Sequence, residues 1–294
     1  MNKSAIIVYI DNNEKIIKEF AWLYKSWRMW DINNTWDIVA FTNPEVLEKV
    51  QLTYPHDNVK FIAMEPVNKN YPFTNSYGMF KDKSNIDALE QYDFLFKTDC
   101  DTFLTKNFAT FIPWKDKVYC GIGMYSNVEK LGDLVREKLR LLSKSIGLKN
   151  RGYSHLGASL IANKEMMVGI SNVQLQLTDW LLKNAFKDGD GQWPGWYKGV
   201  TALYAHDMAI NHLVGPLSMH QGSIDVWCAT NNITSLDLHI HAWQQGQVNI
   251  FNKMKWHAGE LPNIKFNYVP STAGEYCLLV ANDPVEDLIK LAKK

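Results

Sequence analysis

The sequence predicts one α/β domain with a mostly parallel central sheet flanked by helices, and three observations carry that expectation. Short β-rich apolar runs at Ala5–Ile10, Asp37–Thr42 and Val59–Met64 are separated by longer stretches of helical character. A fourth apolar run, Phe94–Phe96, leads into two carboxylates in the segment DFLFKTDCDTFLT (Asp93–Thr105). At 294 residues and 33.8 kDa the chain is long enough to bury a full core. Alternation of strand and helix is the pattern of a parallel sheet covered on its faces.

Ala5–Ile10 is closed by Asp11 and lacks a small-residue cleavage site, so it reads as a strand rather than a signal peptide. Asn13–Trp30 places Ile16, Ile17, Phe20, Leu23, Tyr24 and Trp27 at helical spacing, and Asn75–Gln91 is a second helical candidate. The first hundred residues therefore read β-α-β-α-β-α-β. Beyond them, Val118–Tyr125 and Leu156–Ala162 read as strands, and Val128–Ile146 as a helix with Leu131, Leu134, Val135, Leu139, Leu142 and Ile146 on its apolar stripe. Asp188–Gly199 (DGDGQWPGWYKG) is loop-like, and its four glycines predict a mobile lid. Its Asp188-Gly-Asp190-Gly start lacks the later ligands and closing Glu of a calcium loop. No internal repeat is visible. The expected organisation is one domain over 1–294, with a first half at 1–110 and a variable second half at 111–294.

Lys+Arg and Asp+Glu are equal at 31 each, which removes any global electrostatic case for a nucleic-acid partner or an anionic membrane. No run approaches the roughly 18 apolar residues of a membrane span, so no integral membrane segment is expected. Cys100, Cys120, Cys228 and Cys277 are widely spaced, with no Cys-x-x-Cys pair. They read as free thiols of a cytoplasmic protein, and the sequons at Asn33 and Asn232 carry weight only on secretion.

Asp99 and Asp101 hold the chemistry. On a strand they would share one face while Cys100 took the other. Paired carboxylates suit a hard divalent ion such as Mg²⁺ or Mn²⁺, which binds through one or two carboxylates plus the phosphates of a substrate. Ligands of open α/β sheets collect at the carboxyl ends of strands, where this pair falls. A strand-end turn is the bland alternative, because Asp is a common turn former.

A β-α-β-α-β-α-β start closing on Asp99-Cys100-Asp101 resembles the GT-A (Rossmann-like) fold of nucleotide-sugar-dependent glycosyltransferases, over roughly residues 4–165. The resemblance implies Mn²⁺ or Mg²⁺ as cofactor, bound by Asp101 and Asp99, with Asp99 also near the donor ribose. It implies a nucleotide-sugar donor, with a UDP-sugar favoured, and a glycan acceptor. His241, or His239, in Leu238-His-Ile-His-Ala-Trp243 would complete the metal shell, and Lys253 or Lys255 would face the leaving diphosphate. Asp207 in Tyr204-Ala-His-Asp-Met-Ala-Ile210 would open a helix and act as catalytic base, or serve as its N-cap. Asp11 matches a nucleoside-contacting position, though Asp11-Asn-Asn-Glu14 also fits a capping box. Trp193, Trp196 and Trp243 are candidates for sugar stacking or for core. Two alternatives stand: a haloacid-dehalogenase-type phosphatase using Asp99 and Asp101, which expects Thr or Val where Phe103 stands, and a non-catalytic carbohydrate-binding protein.

Overall fold

The computed structural model describes residues 3–123, 125, 129–230, 232–243 and 250–294. In chain order the elements are β1 (Ser4–Ile10), α1 (Glu14–Met29), β2 (Trp36–Thr42), α2 (Leu47–Thr53), β3 (Val59–Ala63), α3 (Asn75–Gly78), α4 (Lys83–Asp87) and β4 (Phe94–Lys97). There follow β5 (Thr102–Leu104), β6 (Val118–Ile122), α5 (Glu129–Ser145), β7 (Leu156–Asn163), α6 (Lys164–Asn184) and α7 (Thr201–Leu213). The chain ends with β8 (Met219–Gln221), β9 (Val226–Trp227), β10 (His239–His241), α8 (Lys253–Ala258), α9 (Ala273–Asn282) and α10 (Val285–Ala292). The architecture is mixed α/β. Its contacts divide it into an N-terminal unit (Lys3–Glu65, Thr98–Ile112, Gly222–Lys294) and a middle unit (Pro66–Lys97, Pro113–Gln221).

In the N-terminal unit, β1 pairs in parallel with β2, and β2 with β3. Every residue of β1 and β2 is buried, as expected of parallel strands covered on both faces. Helix α1 starts at Asn13, whose side chain accepts the Lys15 N–H, so Asn13 is the cap and the expected Asp11-to-Glu14 capping box does not form. Asn is as good a cap as Asp, and Asn13 lies nearer the apolar stripe.

A second, three-stranded sheet runs β5-β10-β9, with β5 antiparallel and β9 parallel to β10. Its inner residues Phe103 and Ile240 join Trp22 of α1, Phe251 and Tyr276 in one core cluster. Trp22 stacks on Phe103 at 5.2 Å and 9°, and Phe251 meets both rings edge-on. Edge strand β5 would expose unpaired backbone groups, but side chains satisfy them. Ser26 Oγ accepts the Leu104 N–H at 2.9 Å, and the Tyr276 hydroxyl donates to the Leu104 carbonyl.

In the middle unit the strands run β4-β7-β6-β8, antiparallel except for β6 with β8. Strand β7 therefore enters the sheet against the direction of its neighbours β4 and β6. The expected helix over Asn75–Gln91 is two short helices, broken around Gly78, whose missing side chain makes room for Val67. Helix α6, which packs on α7, carries Met167, Ile170, Gln174, Leu177 and Leu181 inward; no sequence expectation covered it. No helix among the described residues is long and apolar enough to cross a membrane. All four cysteines are free and buried.

Replacing Ser26 by Ala should leave the buried Leu104 N–H without an acceptor. An unsatisfied buried donor costs about 1–3 kcal/mol, so urea unfolding should show a loss of that size; an unchanged midpoint would mean the edge is satisfied in some other way.

Candidate metal centre

Pairing of β5 with β10 builds the site. The register sets His241 opposite Thr102, and the Ala242 N–H donates to the Asp101 carbonyl at 3.0 Å. Residues 98–101 therefore form a bend held alongside β10, and the carboxylates stand beyond the end of β4 rather than on it, contrary to the strand-face expectation. The bend nonetheless turns both carboxylates to one partner. His241 Nε2 lies 3.2 Å from Asp101 Oδ1 and 3.8 Å from Asp99 Oδ2. One ligand atom from each of Asp99, Asp101 and His241 lies within 4.8 Å of the other two. Asp101 is buried and the Asp99 side chain is one-third exposed.

Behind His241 stands Asp225, in the turn before β9 with a left-handed φ of 56°. The His241 Nδ1–H donates to Asp225 Oδ1 at 3.0 Å. Burial works against a charged ring, but Asp101 and then Asp225 overcome it and raise the His241 pKa to about 10. Asp101 is held far below the usual carboxylate range: burial opposes ionisation, and His241 and Lys253 outweigh it. Lys253 Nζ donates to Asp101 Oδ2 at 2.6 Å and lies 4.0 Å from Glu19, whose carboxylate also takes His257 Nε2 at 2.7 Å. Burial and the nearby Asp101 raise the Glu19 pKa.

His239 shares the strand face with His241, as its i, i+2 spacing predicts, but has a different task. Its Nδ1 accepts the Asp225 N–H at 3.0 Å and its Nε2 faces Thr98 Oγ1 at 3.0 Å, so both ring nitrogens are occupied. Burial lowers its pKa to about 4 and keeps it neutral. Its 3.6 Å approach to Asp225 Oδ1 is thus no ion pair. His239 is a positioning residue for Asp225, not a ligand.

Two carboxylates and an imidazole suit a divalent ion such as Mn²⁺. A carboxylate behind the imidazole is the usual second partner of a metal-bound His, fixing its tautomer. The donor set fits the expected cation on both counts.

Of the two candidate lysines only Lys253 reaches the cluster; Lys255 is exposed on α8. Asp11 accepts the Asn12 N–H at 2.8 Å, and its charge is felt at buried Cys100 along with those of Asp99, Asp101 and Glu19. Trp243 meets the His241 ring edge-on at 6.3 Å. Sequence reasoning missed Asp225, Glu19 and His257, which follow no local motif; an acidic residue on the buried side of α1 was the one available signal for Glu19.

Asp207 belongs to the middle unit and does not open a helix. Helix α7 starts at Thr201, and Asp207 lies in its second turn, which removes the N-cap reading. Its Oδ2 accepts the Tyr125 hydroxyl at 3.1 Å and its Oδ1 the Asn211 amide at 3.0 Å. Burial pushes its pKa up to about 7 against those two bonds. The Asp188–Gly199 segment is also tied down. Trp196 stacks between Phe186 (4.9 Å) and Tyr204 (4.5 Å), and Gln192 N–H and Lys198 N–H bond across the loop. A side chain at Gly191 would strike the Trp196 carbonyl, so this glycine permits a close backbone approach instead of the expected hinge. Trp196 is accordingly structural, and Trp193 is exposed.

Two predictions follow from the charge pattern. Asp101→Ala leaves His241 with Asp225 and Lys253 with only the more distant Glu19, and breaking a buried pair costs about 3–5 kcal/mol; Asp99→Ala, at a more open position, should cost under about 1 kcal/mol. Equal losses in chemical unfolding would contradict the assignment. The pH profile has a definite sign. The raised His241 pKa contributes stability that is full below about 6.5, declines with rising pH, and is gone above about 10. His241→Gln should therefore flatten the alkaline side of a Tm-against-pH curve, and an unaltered slope there would mean the imidazolium is not formed.

No curated protein matches the chain. Residues 1–276 match the family described as "Domain of unknown function (DUF7164)", and the chain belongs to that family.

Proposed function

We propose that the protein is a divalent-metal-dependent glycosyltransferase that moves a sugar from a nucleotide-sugar donor, a UDP-sugar by preference, to a hydroxyl of a glycan acceptor. The observation that carries this reading is the convergence of Asp99, Asp101 and His241, with Asp225 behind the imidazole. Asp99, Asp101 and His241 would hold the ion, and diphosphate oxygens and water would supply its other ligands. When bound, Mn²⁺ or Mg²⁺ would neutralise charge developing on the leaving diphosphate. Asp225 and His239 orient His241, and Asp101 anchors Lys253. The Lys253 ammonium supplies a fixed positive charge beside the same oxygens. Asp11 is the candidate contact to the nucleoside, and Asp207 the candidate base of an inverting reaction. Free buried thiols support a reducing, cytoplasmic setting.

Calorimetry with UDP tests the reading. Binding should require Mn²⁺ or Mg²⁺ and vanish with EDTA, and Asp101→Asn should weaken it by at least the 10- to 100-fold typical of lost outer-shell partners. UDP that binds equally well in EDTA would sink the proposal. A metal ligand must be a neutral imidazole, so metal binding at pH 8 should also release protons, read as a buffer-dependent enthalpy.

A further inference from the structure

The middle unit contains a cleft of about 260 Å³ whose lining includes Tyr125, Arg136, Asn150, Tyr153, Ser154 and Asp207. That is below the roughly 300–1,000 Å³ of pockets for drug-sized ligands, and it suits a single ring. We propose that this cleft binds a neutral saccharide, with Asp207 and Tyr125 taking the ligand's hydroxyl groups and Tyr153 lying along one side of the ring.

The lining selects that chemistry. Asp207, 2 % exposed, and Tyr125, fully buried, both belong to the lining of the cleft. A carboxyl group keeps acceptor capacity on both oxygens and, when protonated, adds one donor; Tyr125 and Asn211 fill one site on each oxygen, leaving capacity for a ligand's hydroxyl groups. The Tyr125 hydroxyl donates to Asp207 and accepts the His155 N–H at 3.1 Å, so its direction is set. An anionic ligand would meet the acidic lining residues Asp133, Glu137 and Asp207. A cationic one would meet Arg136, whose charge is felt at both Tyr125 and His155. The rim charges already pair along α5, Arg136 with Asp133 and Arg140 with Glu137. A neutral ligand rich in hydroxyl groups satisfies all of these constraints at once.

The site is also built rather than incidental. Asn211, fully buried, accepts the N–H groups of Arg151 and Tyr153 at 2.9 and 3.0 Å while its amide holds Asp207. One side chain thereby fixes both the carboxylate and the Asn150–Ser154 wall. Arg151 adds a second tie, donating to the Asn211 and His212 carbonyls at the end of α7. His155 holds a left-handed φ of 55° with its ring stacked on Tyr125 at 5.2 Å, a strained conformation that such over-determined sites retain.

The inference rests on the glycosyltransferase reading only in identifying the saccharide as the acceptor; binding itself needs neither metal nor nucleotide. The full chain, in EDTA and without nucleotide, is titrated with methyl glycosides, a sugar phosphate and an aliphatic amine, observed by NMR and calorimetry. Neutral glycosides should bind best and shift the resonances of Tyr153 and Asn150. Asp207→Asn should weaken them about tenfold, the worth of one hydrogen bond. Ser154→Trp, which fills the cleft and leaves the Asp207 bonds intact, should abolish binding without lowering Tm, separating occlusion from misfolding. Preference for the phosphate or the amine, undiminished binding in Ser154→Trp, or no glycoside binding at tens of millimolar would each overturn the proposal. Because UDP and Mn²⁺ are absent throughout, none of these results depends on the Asp101 centre.

Discussion

The short ladder between β5 and β10 is the constraint on which the Asp99–Asp101–His241 cluster depends. Only three residue pairs long, it joins the chain just after Asp101 to a strand some 140 residues later. The Ala242 N–H to Asp101 carbonyl bond extends the ladder into the bend itself. Side-chain geometry follows from backbone register: setting Thr102 opposite His241 brings the imidazole to the carboxylates, and a slip of one residue would point both histidines into the core. The ladder is held by the Trp22–Phe103 stack below it and by Ser26 and Tyr276 at its outer edge. An interface of aromatic stacking and satisfied edge groups thus converts core packing into site geometry.

Around that ladder, charges of both signs are buried close together. Asp101, Asp225 and Glu19 alternate in space with His241 and Lys253, so each buried ion has an opposite neighbour within hydrogen-bond or ion-pair distance. Such an arrangement is seldom a net source of stability, because desolvation offsets the Coulombic gain. Its value lies in preorganisation. His241 is pinned from behind, Lys253 is held on one oxygen of Asp101, and the partly exposed Asp99 keeps the cluster open toward solvent. A cation binding there would find these side chains already oriented, once it had displaced the proton on His241.

The middle unit follows the same logic with different materials. Here Asn211 rather than a strand ladder supplies the clasp, and aromatic stacking of Phe186, Trp196 and Tyr204 anchors the glycine-rich loop. Burial of Asp207 outweighs its bonds from Tyr125 and Asn211 and moves its pKa upward, whereas His241 and Lys253 outweigh the burial of Asp101 and move its pKa down. Two aspartates of one chain, both deeply buried, are thereby set to opposite protonation tendencies by their neighbours alone.

What the sequence by itself determined is what local physics determines. Short apolar runs placed β1, β2, β3 and β4, and period-3.6 apolar patterns placed α1 and α5, to within one or two residues at their ends, since both signals lie in neighbouring residues. The Asp99-Cys-Asp101 spacing and the His239-Ile-His241 spacing each marked a shared direction, which a bend and a strand then supplied by different routes. Local pattern failed where another part of the chain decided the outcome. Asp207 looked like a cap because Asp favours that position, yet α7 starts six residues earlier, without a side-chain cap, on the strength of its packing against α6. The glycines of Asp188–Gly199 looked like hinges, yet Gly191 serves a backbone contact with Trp196. Only the tertiary structure set His241 rather than His239 beside the two carboxylates and Lys253 rather than Lys255 on Asp101, and only it brought in Asp225, Glu19 and His257. Those choices depend on the partner each side chain meets across 100 residues or more of chain, or, for Asp225, across a strand pairing that no short-range periodicity encodes.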